Sequence, residues 1–196
     1  TSLSSTCSRV SAVGGRAALI RGPSGVGSSA LAGWLVERAE EQGVAFGARG
    51  RDDDGVGLAG LAGLVGRWLG VSAVRRTTGL ELAIRSALTT RPGTPPSVES
   101  LVALLDHRTS DRGSRFETAA AALRWRADRP VILWIDRIHD DGELVAFARW
   151  LHETRMLPVL TVVSASDELL AEHPKTADAL RTATTVALGP LDGATT

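Results

Sequence analysis

The sequence predicts a three-layer α/β domain, a mostly parallel five-stranded sheet with helices on both faces. Three observations point there. Val131-Ile-Leu-Trp-Ile135 is apolar at every position, as a strand buried on both faces of a parallel sheet requires. Four other short apolar runs alternate with stretches of helical periodicity, the pattern of successive β-α-β units. The first run ends in a glycine-rich turn, Gly22-Pro-Ser-Gly-Val-Gly27, that opens directly into a helix. At 196 residues, 43% hydrophobic and 22% charged, the chain has the apolar content for one sizeable core.

Taken in order, Ala17-Ala-Leu-Ile20 is the first strand. The helix after the turn places Leu31, Trp34, Leu35 and Ala39 on one face, and Gly43 stops it. Val44-Ala-Phe46 predicts the second strand. Gly57, Gly60, Gly63 and Gly66 then recur every third residue, while Leu61, Leu64, Val65 and Trp68 keep a helical stripe. Each Gly costs a helix about 1 kcal/mol against Ala, so the expectation is a weak, partly unravelled surface helix, with a mobile switch element as the alternative. Arg91-Pro-Gly-Thr-Pro-Pro96 cannot be helical and separates a helix near 79–89 from one near 98–107. Ser114 and Glu117 read as a capping box opening a helix through Phe116, Ala119, Ala120, Leu123 and Ala127, which Pro130 ends. The 131–135 strand is expected at the centre of the sheet. A helix with Leu144, Phe147, Ala148 and Leu151 on one face follows, then a strand at 158–163, short helical stretches and a strand at 184–188. Residues 1–13 and 192–196 are expected to be linkers around a domain spanning 14–191, cut from a larger multidomain protein.

Composition removes several function classes. Lys+Arg and Asp+Glu are 22 each, so no global field draws the chain onto nucleic acid or an anionic membrane, and phosphate recognition must be local. No apolar run approaches the roughly 20 residues a bilayer needs, and the first residues are too polar for a signal peptide. A cytoplasmic protein without a membrane partner is the expectation. Cys7 stands alone, which excludes an internal disulfide and a thiolate metal cage. His107, His139, His152 and His173 lack metal-ligand spacing and are expected at the surface or in caps, with His139 the exception because it follows the strand that ends in Asp136. There is no Tyr, and Lys175 is the only Lys, so neither a catalytic Tyr nor a phosphate-loop Lys is available. Arg112, Arg115, Arg126 and Arg129 read as one solvated stripe, with a partner contact or an arginine finger as the alternative, and Asp52-Asp-Asp54 as a polar turn.

The glycine-rich turn carries the sharpest chemistry. Gly22-Pro-Ser-Gly-Val-Gly27-Ser28-Ser29 lies between strand and helix, where G-x-x-x-x-G-K-[ST] aims backbone N–H groups at phosphates. The phosphate-binding candidates are therefore Gly22, Pro23, Ser24, Gly25, Val26, Gly27, Ser28 and Ser29. Ser29 takes the hydroxyl position that would hold Mg²⁺, and Ser28 stands where the Lys belongs. Asp136 ends its strand where a P-loop enzyme keeps the carboxylate of the Mg²⁺ shell, and strand C-termini converge on one crevice. Ser29 and Asp136 are thus the candidate metal ligands. Arg137 occupies the usual position of a water-orienting acid and cannot act as a base, so no catalytic residue is assigned. Arg137 and Arg21 are the candidate compensating cations. Asp140 and Asp141 are candidate helix caps or further carboxylates.

These residues resemble the AAA-type and STAND signalling ATPases. Val131-Ile-Leu-Trp-Ile-Asp-Arg-Ile-His139 is similar to their Walker B neighbourhood, a hydrophobic strand followed by Asp-Asp-Leu-His-Trp-Ala-Asp, and it keeps the first Asp and the His but not the second acid. Leu157-Pro-Val-Leu-Thr-Val-Val163 resembles their sensor strand, with Ser164-Ala-Ser166 where an Arg is usual, and Val186-Ala-Leu-Gly-Pro-Leu191 resembles the approach to their lid. The resemblance covers roughly residues 14 to 191. It implies a P-loop NTPase-like fold and an ATP-binding regulatory core of a signalling or transcription-control protein. ATP and Mg²⁺ are the implied cofactors, and other domains of the same chain the implied partners, with a homo-oligomer as a further option.

A charge-assisted hydrogen bond is worth about 1.5–3 kcal/mol, so the missing Lys weakens nucleotide binding by roughly 10- to 150-fold. Losing a transition-state donor costs about 10² to 10³ in rate. The expectation is a binding domain that is at most a weak ATPase, with a nucleotide-free pseudo-ATPase scaffold as the alternative. Gly25-Val-Gly-Ser-Ser-Ala30 also fits the dinucleotide-binding G-x-G-x-x-[GA], a minor alternative that leaves Asp136 unexplained. The string 22–27 resembles guanylate kinases too, whose nucleotide site leans on Tyr. A serine-hydrolase elbow fails, because Val26 stands where G-x-S-x-G needs Gly.

Overall fold

The computed structural model describes residues 16–51, 60–71, 77–89, 94–109, 111–136, 138 and 142–189. Cys7, Asp52 to Asp54, Gly57, Arg137, His139, Asp140, Asp141 and both expected linkers lie outside the described residues. In chain order the elements are β1 (Arg16–Gly22), α1 (Ser28–Glu41), β2 (Phe46–Arg51), α2 (Gly60–Leu69), α3 (Thr77–Leu88), α4 (Val98–Leu105) and α5 (Arg112–Arg126). There follow β3 (Val131–Asp136), α6 (Glu143–Thr154), β4 (Val159–Ser166), α7 (Asp167–Glu172), α8 (Pro174–Ala179) and β5 (Thr184–Ala187).

The five strands form one sheet in the order β2-β3-β4-β1-β5, every pairing parallel. The expected α/β class holds, and the arrangement is consistent with a three-layer P-loop-like fold. The chain leaves β1, passes β4 and β3, and reaches the β2 edge. Every later connection runs the other way. Because crossovers in parallel sheets are right-handed, this reversal puts α1 on one face and the other helices on the opposite face. The buried side chains divide accordingly. Ile20, Ile132, Trp134, Leu160 and Val162 pack under Ala32, Val36 and Ala39 of α1. Leu19, Val131, Leu133, Ile135, Val159 and Val163 join a much larger core built from α2 to α8.

Several expectations are corrected. The sheet centre is β4; β3, buried along its whole length as foreseen, lies between β2 and β4. The second strand starts at Phe46 and runs through Phe46-Gly-Ala-Arg-Gly-Arg51, two residues later than the apolar run suggests. The inward face of α1 is Ala32, Val36 and Ala39, while Trp34 is 58% exposed. Small residues are needed there because Trp134 rises from the sheet: a Cβ on Gly33 would stand 3.3 Å from its ring.

The glycine-rich helix α2 is not a surface element. Leu61, Leu64, Val65 and Trp68 are buried, and so are Gly60, Gly63 and Gly66. Trp68 donates its indole N–H to Ala122 O at 3.1 Å, which fixes α2 against α5. Tight packing thus offsets the low helix propensity. At α5 the N-cap is Asp111, whose carboxylate accepts from Ser114 N–H at 2.7 Å, so Ser114 lies inside the first turn rather than capping it.

The four arginines around α5 do not form a solvated stripe. Arg115 pairs with Glu143 at 2.7 Å, Arg126 donates to Trp68 O beside that ring, and Arg129, beyond the helix, donates to Gly43 O at 2.8 Å. His107 and His173 do sit at helix ends, whereas His152 is half-buried with Nε2 3.0 Å from Thr161 Oγ1. Among the described residues no helix is long and apolar enough to cross a membrane.

Candidate functional site

Residues 22–29 close the gap between β1 and α1 at the carboxyl end of the sheet, beside the point where the connections reverse direction. Ligands of open α/β sheets bind at such a point. Gly22 ends β1 so close to the chain beyond β5 that a Cβ would stand 2.6 Å from Leu188 O, and Leu188 N–H donates to Arg21 O at 2.7 Å. Gly25 (φ 81°) and Gly27 (φ 98°) adopt left-handed backbone that other residues avoid. A Cβ at either would meet nothing within 4 Å, so the loop is open on its outer side.

Gly27 is the N-cap of α1. The first intrahelical bond runs from Leu31 N–H to Gly27 O at 2.9 Å, no side chain caps the helix, and its first turn carries no acid. The N–H groups of Ser28, Ser29 and Ala30 therefore precede the helical ladder, at the positive end of the helix dipole. The loop entry is tied down from α7. Arg21 donates to Asp167 at 2.7 Å, and the Glu168 carboxylate accepts from its own N–H, from the Ser166 hydroxyl and from Ser24 N–H. Those bonds hold Glu168 below the ordinary carboxylate range. Arg21, one of the two candidate compensating cations, is thus paired with Asp167.

Ser29 and Asp136, 107 residues apart, do meet: Ser29 Oγ donates to Asp136 Oδ1 at 2.8 Å. The same oxygen accepts from Ser164 Oγ at 3.0 Å, and Trp134 Nε1 donates to Ser164 Oγ at 2.9 Å. On the other oxygen Arg49 donates to Oδ2 at 3.1 Å, and Arg51 Nε stands 3.7 Å away. Arg49 also lies over the Trp134 ring, 4.1 Å from its centroid. Burial pushes the Asp136 carboxyl up, but the hydrogen bonds from Ser29, Ser164 and Arg49, with the Arg49 charge, outweigh it and hold the group below the ordinary Asp range.

The strand pleat explains the assembly. Trp134 and Asp136 on β3 and Ser164 on β4 share the α1 face with Arg49 and Arg51 on β2, whose register partners are Trp134 and Asp136. Sequence periodicity does not single out Arg49, Arg51 or Trp134. The available signal was two arginines two residues apart just before the acidic run, which a strand assignment would have put on one face.

The donor set tests the two implied ligands differently. Uncapped helical N–H groups at an open glycine loop suit phosphate oxygens. Asp136 does not suit a divalent cation, because hydroxyls hold one oxygen and two guanidinium groups stand within 4 Å of the other. A cleft of about 830 Å³ lies on the opposite side of the sheet between α5, α6 and α8, away from this cluster. Arg115 and Arg149 in it are paired with Glu143 and Glu153. No family model matches the chain, and no curated protein matches it.

Proposed function

We propose that this chain is the regulatory P-loop domain of a larger protein, binding a nucleoside triphosphate in the 22–29 loop and turning it over negligibly. The observation carrying this reading is the loop itself. Left-handed Gly25 and Gly27 lead into an uncapped helix whose Ser29 hydroxyl is bonded to the carboxylate ending β3. The backbone N–H groups of Ser28, Ser29 and Ala30 would hold phosphate oxygens, and Gly25 and Gly27 leave room for them. Negligible turnover follows from Ser28 in place of the Lys and from Asp136 being held by arginines.

That arginine enclosure also favours a second reading, a nucleotide-free scaffold that keeps the fold for contacts with other domains. Calorimetric titration with ATP separates the two. Under the first reading the native chain binds and Ser28→Lys binds roughly 10- to 150-fold more tightly. Silence in the native chain with binding in Ser28→Lys selects the scaffold. Silence in both sinks the nucleotide reading.

A further inference from the structure

Resting on the nucleotide reading above, we propose that Glu168 is an internal competitor for the 22–29 loop: a carboxylate of this chain that holds one of the loop's N–H donors and so sets how tightly the nucleotide binds. The register of the sheet brings it there. β1 and β4 pair in parallel with Gly22 opposite Ser166, so the chain enters the loop beside the start of α7. Two bonds fix that turn. Ser166 Oγ accepts from Leu169 N–H at 3.1 Å, and Asp167 accepts from Arg21, the residue before Gly22, at 2.7 Å. Glu168, two residues beyond Ser166, then meets Ser24, two residues beyond Gly22, and takes its N–H.

The loop's donors divide into those taken by the protein and those left open. Val26 N–H turns back to Pro23 O at 3.2 Å, and Ser24 N–H goes to Glu168, whereas the N–H groups of Ser28, Ser29 and Ala30 precede the helical ladder of α1. The Val26 bond closes the turn itself. The Ser24 bond goes to an exposed side chain that can swing away. Asp167 is paired with Arg21, but among the described residues no Lys or Arg pairs with Glu168. An ionised carboxylate on a loop N–H stands where a phosphate oxygen would stand, and it repels phosphates bound alongside. Whatever draws Glu168 off the loop or neutralises it therefore raises nucleotide affinity, which makes α7 the element through which the site is regulated.

The test is ATP titration, at one pH and one salt concentration, of the native 196-residue chain, Glu168→Gln and Glu117→Gln. Gln keeps the size of the side chain and removes one charge, so the comparison reads that charge alone with every other group in place. Glu117 is exposed on α5, which packs against α2, α4 and α6, and carries the same change away from the loop. Repulsion between two unit charges about 4 Å apart in water already corresponds to roughly fivefold in affinity, so Glu168→Gln should bind ATP at least about fivefold more tightly than the native chain. Glu117→Gln should stay within about twofold, because salt screens a distant surface charge. Equal affinity of the native chain and Glu168→Gln, or weaker binding by the variant, overturns the inference and leaves the nucleotide reading standing. An equal gain in Glu117→Gln overturns it as well, because the effect then belongs to overall charge and not to the loop contact. Where native binding is too weak to measure, the same comparison is made between Ser28→Lys and Ser28→Lys/Glu168→Gln. Absence of ATP binding to all of these removes the nucleotide reading and this inference with it. Circular dichroism melts check that the variants fold.

Discussion

Asp136 is the residue on which the site's electrostatics turn, because a helix and two neighbouring strands all donate to it. Asp136→Ala leaves Ser29, Ser164 and Arg49 without their acceptor. Arg49 is exposed enough to rehydrate, so the loss is smaller than for a fully buried pair, about 2 kcal/mol in urea unfolding. The sign of its pH dependence follows from the depressed carboxyl. The unfolded chain takes up the proton first, near pH about 3.9, so this stabilisation is complete above that value and disappears as pH falls through the lower native pKa. The gap between native chain and Asp136→Ala should be constant near neutrality and narrow in acid. A gap that widened in acid would mean that the arginines do not favour the ionised form. Ser29 and Asp136 were legible in the sequence because loop spacing and a strand end mark them. Their arginine partners were not, since recognising them required knowing that Phe46-Gly-Ala-Arg-Gly-Arg51 is a strand, and two Gly with two Arg hide the apolar alternation that identifies strands.

Among elements, α2 shows most clearly how packing overrides propensity. Its glycines predict weakness, yet it lies against β2, α5 and α6 with Leu61 and Leu64 at most 1% exposed. Leu64→Ala should cost about 2–5 kcal/mol, a core-sized loss measured by urea unfolding. Leu82 on α3 is 70% exposed, and Leu82→Ala should stay within about 0.5 kcal/mol. Equal, small losses at the two positions would return α2 to the surface. The join between α6 and β4 adds a pH term, because burial pushes the His152 imidazole down and favours its neutral form beside Thr161. The unfolded chain protonates first, at about 6.5, so this contribution is intact above that value and is lost as pH falls below it. Melts at about pH 7.5 and about pH 5.5 should show a larger acid loss for the native chain than for His152→Gln. Periodicity did find the inward face of α6, where Leu144, Phe147, Ala148 and Leu151 are all buried, because an ordinary amphipathic stripe meets a broad apolar core there. It misplaced the face of α1, because a tryptophan from the sheet, absent from the helix's own pattern, decides which residues fit beneath it.

At the scale of the molecule the sheet is lopsided, and the glycine loop opens into α1, the helix of the thin side. A helix is about 10–12 Å across and neighbouring strands are about 4.8 Å apart, so α1 alone cannot span five strands. The succession of elements along the chain and their parallel sense followed from alternating strands and helices, whereas the split between faces depended on strand order in the sheet, which periodicity does not encode. Local stability should divide the same way, with β3 and β4 exchanging amide protons slowest and α1 and the edge strand β5 faster. On the proposed nucleotide reading the phosphates sit at the N-terminus of α1, so a bound nucleotide would stabilise the less protected side. At ligand about 100-fold above Kd the linkage is about 2.7 kcal/mol, which for a chain of this size raises Tm by roughly 5–10 °C. The accompanying protection should concentrate in the loop, α1 and the carboxyl ends of β1 and β3. Protection centred instead on α5, α6 and α8 would place the ligand in the cleft of about 830 Å³ on the other side and detach nucleotide binding from the glycine loop.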